Sequence, residues 1–257
     1  MMQVGGVVLV TGAGSGIGKE VARRLTYYGA KVMTAETCKN LKRPGDLGSP
    51  KTAAHGVDVR DETSVSNLVD EVARTYGRID VLVNTAGFGA ANQTPIRDMS
   101  LADWRSLDEV HNIGCFLLTR AVLRVMDKQV LITPVSTFGD RPSIRGAIVM
   151  VTSLASEGTF WGVGNYIAAK HAVKGMGHSS QCCRPIVCFG SYGGRVFAAS
   201  PEVKNVMLGD LPMKRLVGPG EVADVVAFLA SSVSSYVNGH TLVVDGGASL
   251  PLSNSPF

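Results

Sequence analysis

The segment Val7-Val8-Leu9-Val10-Thr11-Gly12-Ala13-Gly14-Ser15-Gly16-Ile17-Gly18 leaves this chain little choice of fold. Four branched apolar residues in a row read as a buried strand that closes on a glycine-rich turn. Ile17, Val21 and Leu25 then repeat at i, i+4 and i+8, the spacing of a helix with one apolar face. Strand, glycine turn and helix in that order form the first unit of a parallel sheet covered by helices. The turn lets backbone approach a pyrophosphate, and the helix N-terminus supplies N–H donors and positive potential. A glycine turn alone is a weak signal, so the remaining chain has to support it.

Gly29 ends the first helix, and a second strand over Ala30 to Ala35 closes with Glu36. An acid at that strand tip accepts hydrogen bonds from a ribose diol and repels a 2′-phosphate. This favours NAD, with NADP as the alternative because Lys39, Lys42 and Arg43 follow closely. A short strand over Ala54 to Val57 leads to Asp58, which on its own reads as a charge at the start of the next helix. Val65, Leu68, Val69, Val72 and Tyr76 mark that helix, and Gly77 stops it. Ile79 to Val83 forms a fourth strand that delivers Asn84, where the small Ala86 and Gly87 leave room for a cofactor. Ser100 caps a helical pattern running to about Met126, with Asn112 inside it. An asparagine there competes with backbone bonding and can open a helix turn.

Gly146 to Thr152 reads as a buried strand ending at Ser153, and Tyr166 and Lys170 share one face of the helix that follows. A unit charge about 4 Å away at an effective dielectric near 20 is worth ~4 kcal/mol, enough to make a phenol a working acid or base. Taken together, Thr11-Gly12-x-x-x-Gly16-x-Gly18, Asn84-Thr85-Ala86-Gly87, Asn112, Ser153 and the Tyr166/Lys170 pair resemble the short-chain dehydrogenase/reductase family over most of the chain. The resemblance implies a single-domain doubly wound parallel sheet (Rossmann-like) over 1–257, with helices on both faces. It implies catalytic roles for Asn112, Ser153, Tyr166 and Lys170. Dinucleotide contacts are implied at Gly12, Ser15, Gly16, Ile17, Gly18, Glu36, Asp58, Val59, Asn84, Ala86, Gly87, Tyr166 and Lys170. Asp58 and Val59 would border the adenine, and Asn112 would hold a water linking Lys170 to solvent. The implied reaction is hydride transfer between NAD(P)(H) and a carbonyl or secondary alcohol, in a homo-oligomer (tetramer or dimer). Thr85 replaces an asparagine of the family pattern, which puts a sheet-bracing hydrogen bond in question.

Two segments depart from the pattern. Residues 128–145 have a loop-like composition and are expected to bulge at the surface, with a substrate cover as the alternative. Residues 178–213 lose helical periodicity around Cys182-Cys183-Arg184-Pro185. The sixth strand is expected at Arg195 to Ala199, and Ser200-Pro201-Glu202 then stands where the family has Pro-Gly and a threonine. That motivates a rival reading as a non-catalytic or weakly active dinucleotide-binding scaffold. Serine hydrolysis is disfavoured, since Ser153 lies in Val-Thr-Ser-Leu-Ala and not Gly-x-Ser-x-Gly.

Length and composition bound the rest. At 257 residues, 45% apolar and 18% charged, the chain can bury a large core. The net charge of +4 is scattered without an aromatic-rich basic surface, which argues against nucleic acid. No apolar run reaches membrane-spanning length. Five cysteines without metal-like spacing and an N-terminus without a basic leader point to a reduced, cytoplasmic protein with no metal.

Overall fold

The computed structural model describes residues 4–37, 52–133, 143–158, 160–179, 184–189 and 211–249. Its centre is a sheet of seven parallel strands: β1 (Val7–Thr11), β2 (Lys31–Glu36), β3 (Thr52–Gly56), β4 (Val81–Asn84), β5 (Ala147–Thr152), β6 (Arg184–Phe189) and β7 (His240–Leu242). They lie in the order β3-β2-β1-β4-β5-β6-β7. The crossover direction therefore reverses between β1 and β4, and a crevice opens at their carboxyl ends.

Alternation along β1 sorts the core into two layers. Val8 and Val10 face one side with α1 (Gly16–Tyr27) and α6 (Pro219–Ala230), where Val21, Leu25, Val222 and Val226 are buried. Val7 and Leu9 face the other, packing with α2 (Glu62–Tyr76) and α4 (Gly114–Met126) through Leu68, Val72, Leu118 and Val122. Val173 of α5 (Gly164–Ser179) joins that second layer. Short α3 (Leu101–Leu107) leads into α4 through a π-turn, Asp108–Ile113. Ser100 caps α3, its hydroxyl accepting from the Asp103 amide at 3.0 Å.

The sequence reading of the sixth strand is corrected. α5 does end before the proline, but β6 begins at Arg184, inside the stretch expected to be irregular. Pro185 is tolerated because it lies near the strand's start, opposite Ile148 of β5, while pairing with β7 begins only at Ile186. Residues 195–202 lie outside the described residues, and Ser200-Pro201-Glu202 stands well beyond the end of β6.

The segment 128–145 is also better ordered at its ends than its composition implies. Ile132 and Ile144 form an antiparallel bridge, and Gln129 bonds both backbone groups of Ile79. These ends sit just ahead of β4 and β5, at the amino edge of the sheet and opposite the crevice. They give no support to a substrate cover; residues 134–142 lie outside the described residues.

Thr85 supplies the brace that its substitution had put in question. Its amide and its hydroxyl both donate to the Thr11 carbonyl, while the Thr11 hydroxyl donates to Asn84 Oδ1 at 2.6 Å, locking β1 to β4 at the switch point. Thr85→Val keeps the shape and removes one of these bonds. It should lower unfolding free energy by about 1 kcal/mol in urea titration, and an unchanged midpoint would show that the hydroxyl braces nothing.

Candidate active site

Three glycines of the first turn each have their own physical reason. Gly12 has φ +70°, and a Cβ there would come 2.7 Å from the Thr85–Ala86 backbone. A Cβ on Gly18 would overlap the Gly12 carbonyl. Gly16 has φ +54° and faces open space among the described residues. Ser15 before it is extended and exposed, with no side-chain cap among the described residues, and Ile17 packs behind it on the core. A left-handed, open turn at a helix N-terminus suits a dinucleotide pyrophosphate.

Glu36 ends β2 folded back over this turn, Oε2 accepting from the Gly14 amide at 3.1 Å and Oε1 from the Thr37 amide at 2.8 Å. Its carboxylate thus stands beside the glycine cradle. Lys39, Lys42 and Arg43 lie outside the described residues. Asp58 is gripped by Arg60, Nη2 to Oδ2 at 2.7 Å, and this hydrogen bond holds its carboxyl below the usual carboxylate range. Asp58 does not cap α2; Asp61 does, accepting from Ser64 at 2.9 Å. Val59 packs on Gly114, where a Cβ would come 2.9 Å from it, so α4 starts close to the end of β3.

At the end of β4, Asn84 is buried and its Oδ1 also accepts from the Ala86 amide at 3.3 Å. Gly87 differs from expectation in what its missing side chain accommodates: a Cβ there would overlap the imidazole of His111. Asn112 lies in the π-turn, its amide donating to Asp108 Oδ1 at 3.0 Å, so the helix does open where the asparagine stands.

Ser153 follows β5 in extended conformation, its Oγ accepting from the Ala155 amide at 3.3 Å. α5 is docked on this strand end by the Thr152 hydroxyl, which donates to the Lys170 carbonyl at 3.1 Å. Lys170 is only 6% exposed; its Nζ lies 5.6 Å from the centre of the Tyr166 ring and donates to the Val151 carbonyl at 3.4 Å. α5 packs against the π-turn, β5 and the turn after Ser153, so the elements that carry Asn112, Ser153, Tyr166 and Lys170 adjoin one another.

Two further residues were not singled out from sequence. Asn165 is buried and ties α5 to α3, donating to the Asp103 carbonyl at 3.2 Å while accepting from the Tyr166 amide at 2.9 Å. His111 is 2% exposed and stands perpendicular to the Tyr166 ring, 5.7 Å between centres. Burial, and then the charge of Lys170, push its pKa down to about 3 against an opposing bond to the Phe88 backbone. The signal was present as the residue before Asn112, but one histidine in a helical pattern has no spacing to mark it.

In front of α5, the Thr94 amide donates to the Gly162 carbonyl at 2.7 Å and joins two loops that carry exposed Ile96 and Trp161. A recess of about 50 Å³ beside Asn165 is lined by Phe88, Asn92, Thr94 and Asp103. A groove of about 420 Å³ between α2 and α4, lined by Asp70, Ala121 and Arg124, touches none of the residues named for the reaction.

Comparison with known proteins agrees with this geometry. The short chain dehydrogenase family model matches residues 6–182, and the enoyl-(acyl carrier protein) reductase model matches 186–249. Borneol dehydrogenase, mitochondrial, of Lavandula x intermedia is 34% identical, the match covering 96% of this chain and 91% of that protein. Meso-2,3-butanediol dehydrogenase of Serratia marcescens is 33% identical over 94% of both chains. A crystal structure of an actinorhodin polyketide ketoreductase variant with NADPH has a TM-score of 0.81 at 26% identity, covering 96% of this chain and 99% of its own. The chain belongs to the short-chain dehydrogenase/reductase family, oxidoreductases that bind NAD(P)(H) and act on CH–OH and C=O groups.

His111 gives the site a pH signature. Its folded-state pKa lies below its ordinary 6.5, so protonation favours the unfolded chain; the stability is fully present above about pH 6.5 and is lost as pH falls toward about 3. Relative to His111→Phe, the native chain should lose up to about 1.4 kcal/mol per pH unit across that window. Urea midpoints at several pH values test this; parallel curves for the two proteins would refute it.

Proposed function

We propose that this chain, acting as one domain over 1–257, transfers hydride between a nicotinamide dinucleotide and a secondary alcohol or ketone, with Tyr166 as general acid and base. The observation that carries this reading is the Tyr166/Lys170 pair docked on β5 beside Ser153. The dinucleotide, when bound, supplies or accepts the hydride. Ser153 Oγ holds the substrate oxygen, and the Tyr166 hydroxyl gives it a proton in reduction or takes one in oxidation. Lys170 stabilises the negative charge that grows on the Tyr166 oxygen as the proton leaves, and it reaches the nicotinamide ribose hydroxyls. Asn112 anchors the water through which the proton reaches solvent.

Gly12, Ser15, Gly16, Ile17 and Gly18 hold the pyrophosphate. Asp58 and Val59 border the adenine, and Asn84, Ala86 and Gly87 line the way to the nicotinamide. Glu36 receives the adenosine ribose diol, which favours NAD over NADP because a 2′-phosphate would meet a carboxylate. The exposed Phe88, Ile96 and Trp161 near this edge support a small, hydrophobic substrate; borneol, cyclohexanol and 2,3-butanediol are suitable probes. Exposed Ile113 at the end of the π-turn and Phe116 in the first turn of α4 support a homo-oligomer, dimer or tetramer. The cysteine count and spacing support a cytoplasmic location.

Tyr166→Phe should still bind NADH and, at saturating dinucleotide, lose turnover of these alcohols by at least ~10²-fold, the range of a positioned acid or base. Retained turnover would remove the mechanism. Glu36→Ala should raise kcat/KM for NADP relative to NAD by about tenfold. An unchanged ratio would mean that cofactor choice is made elsewhere.

A further inference from the structure

We propose that His111 is a positioning residue for the proton transfer: a neutral imidazole wedged between the Gly87–Phe88 backbone and the Tyr166 ring, setting where the phenol stands. This rests on the reading of Tyr166 as acid and base, and it adds a residue that the tetrad does not include.

Three contacts define the wedge. Nε2 lies 2.8 Å from the Phe88 carbonyl and 3.4 Å from the Phe88 amide, and the shorter contact is a hydrogen bond in the tautomer that carries its proton on Nε2. On its other side the Tyr166 ring meets the imidazole at 83°. The third contact is with Gly87, where any Cβ would collide with the imidazole, so loop and histidine are shaped to each other. The Phe88 ring, tilted at 45°, closes the stack at 5.9 Å. Contact therefore runs from the loop after β4, through the π-turn, to Tyr166 and on to Lys170.

The residue type also fits the task. An aliphatic side chain would fill this buried space but remove the donor that ties the Phe88 carbonyl to the π-turn. A lysine or arginine would donate but set a second cation against Lys170. Imidazole donates while uncharged, because burial and Lys170 both oppose its protonation. Widening the helix at Asp108–Ile113 places this side chain and Asn112 in the same turn. Loss of the wedge lets the loop and the phenol shift relative to each other, and misplacement on the order of 1 Å can cost ~10²-fold in rate.

The test compares His111→Leu, His111→Phe and His111→Gln with the native protein, using the probe alcohol of highest turnover and its C–H deuterated form. Kinetics are expressed per NADH-binding site, and melting temperature is recorded separately. The inference expects kcat for His111→Leu to fall by roughly 30-fold or more, with KM for NAD within about threefold and a larger deuterium isotope effect on kcat. His111→Phe keeps a ring against Tyr166 and should recover part of the loss; His111→Gln keeps a donor for Phe88 and should recover less. A merely structural histidine would lower the melting temperature while kcat per binding site and the isotope effect stayed as in the native protein, and that result overturns the inference. Should His111→Leu fail to fold, native kcat and isotope effect in both other variants would overturn it equally. Full turnover in a parallel Tyr166→Phe protein overturns this inference and the reading beneath it, whereas an inactive Tyr166→Phe beside unimpaired His111 variants overturns this inference alone.

Discussion

The docking of α5 on the end of β5 is the constraint to which the rest of the site is referred. Thr152 holds the carbonyl of Lys170, and the Lys170 ammonium turns back to the carbonyl of Val151, so helix and strand are tied at two points. The second tie is long, and it is a poor return for enclosing a charge. Burial of an ammonium costs several kcal/mol unless it is well paired. Such a cation makes physical sense if partners arrive with the ligand: ribose hydroxyls, and negative charge on the phenol one turn away. Under the proposed mechanism, local stability is given up for an electrostatic device, and functional sites are where under-satisfied groups are usually found.

The sheet makes that device useful by placing it beside the switch point. β1 and β4 are locked by Thr11, Asn84 and Thr85, and the glycine turn after β1 opens on the same edge. A ligand lying across that edge would have one end on the N-terminus of α1 and the other beside Tyr166. Both core layers are needed for this. α1 and α6 support the turn from one face, while α2, α4 and α5 support the π-turn and the tyrosine from the other.

Much of this was legible in the chain because the deciding patterns are local. A buried strand running into Gly12, Gly16 and Gly18 has few other uses, and Tyr166 and Lys170 are placed by helical periodicity alone. Asn112 was read as a residue able to open a helix turn, and a π-turn stands there. The failures were non-local. β6 was missed because Pro185 argues against a strand unless one knows that β7 starts a residue later. The brace from Thr85 depends on a carbonyl far away in sequence, and the partner of Glu36 is an amide on another strand's turn. His111 carried no periodic signal, since its meaning comes from Gly87 and Tyr166, which only the fold brings to it.

The central claim is that a buried ammonium lets the Tyr166 phenol exchange protons during hydride transfer. The most direct measurement is the single-turnover rate of nicotinamide oxidation or reduction in Lys170→Met, with the dinucleotide saturating so that weaker ribose binding is removed from the comparison. A fall of at least ~10²-fold at full occupancy is the predicted result, the size expected when a positioned charge is taken from a water-poor site. A rate within about threefold of the native protein under the same occupancy would contradict the account.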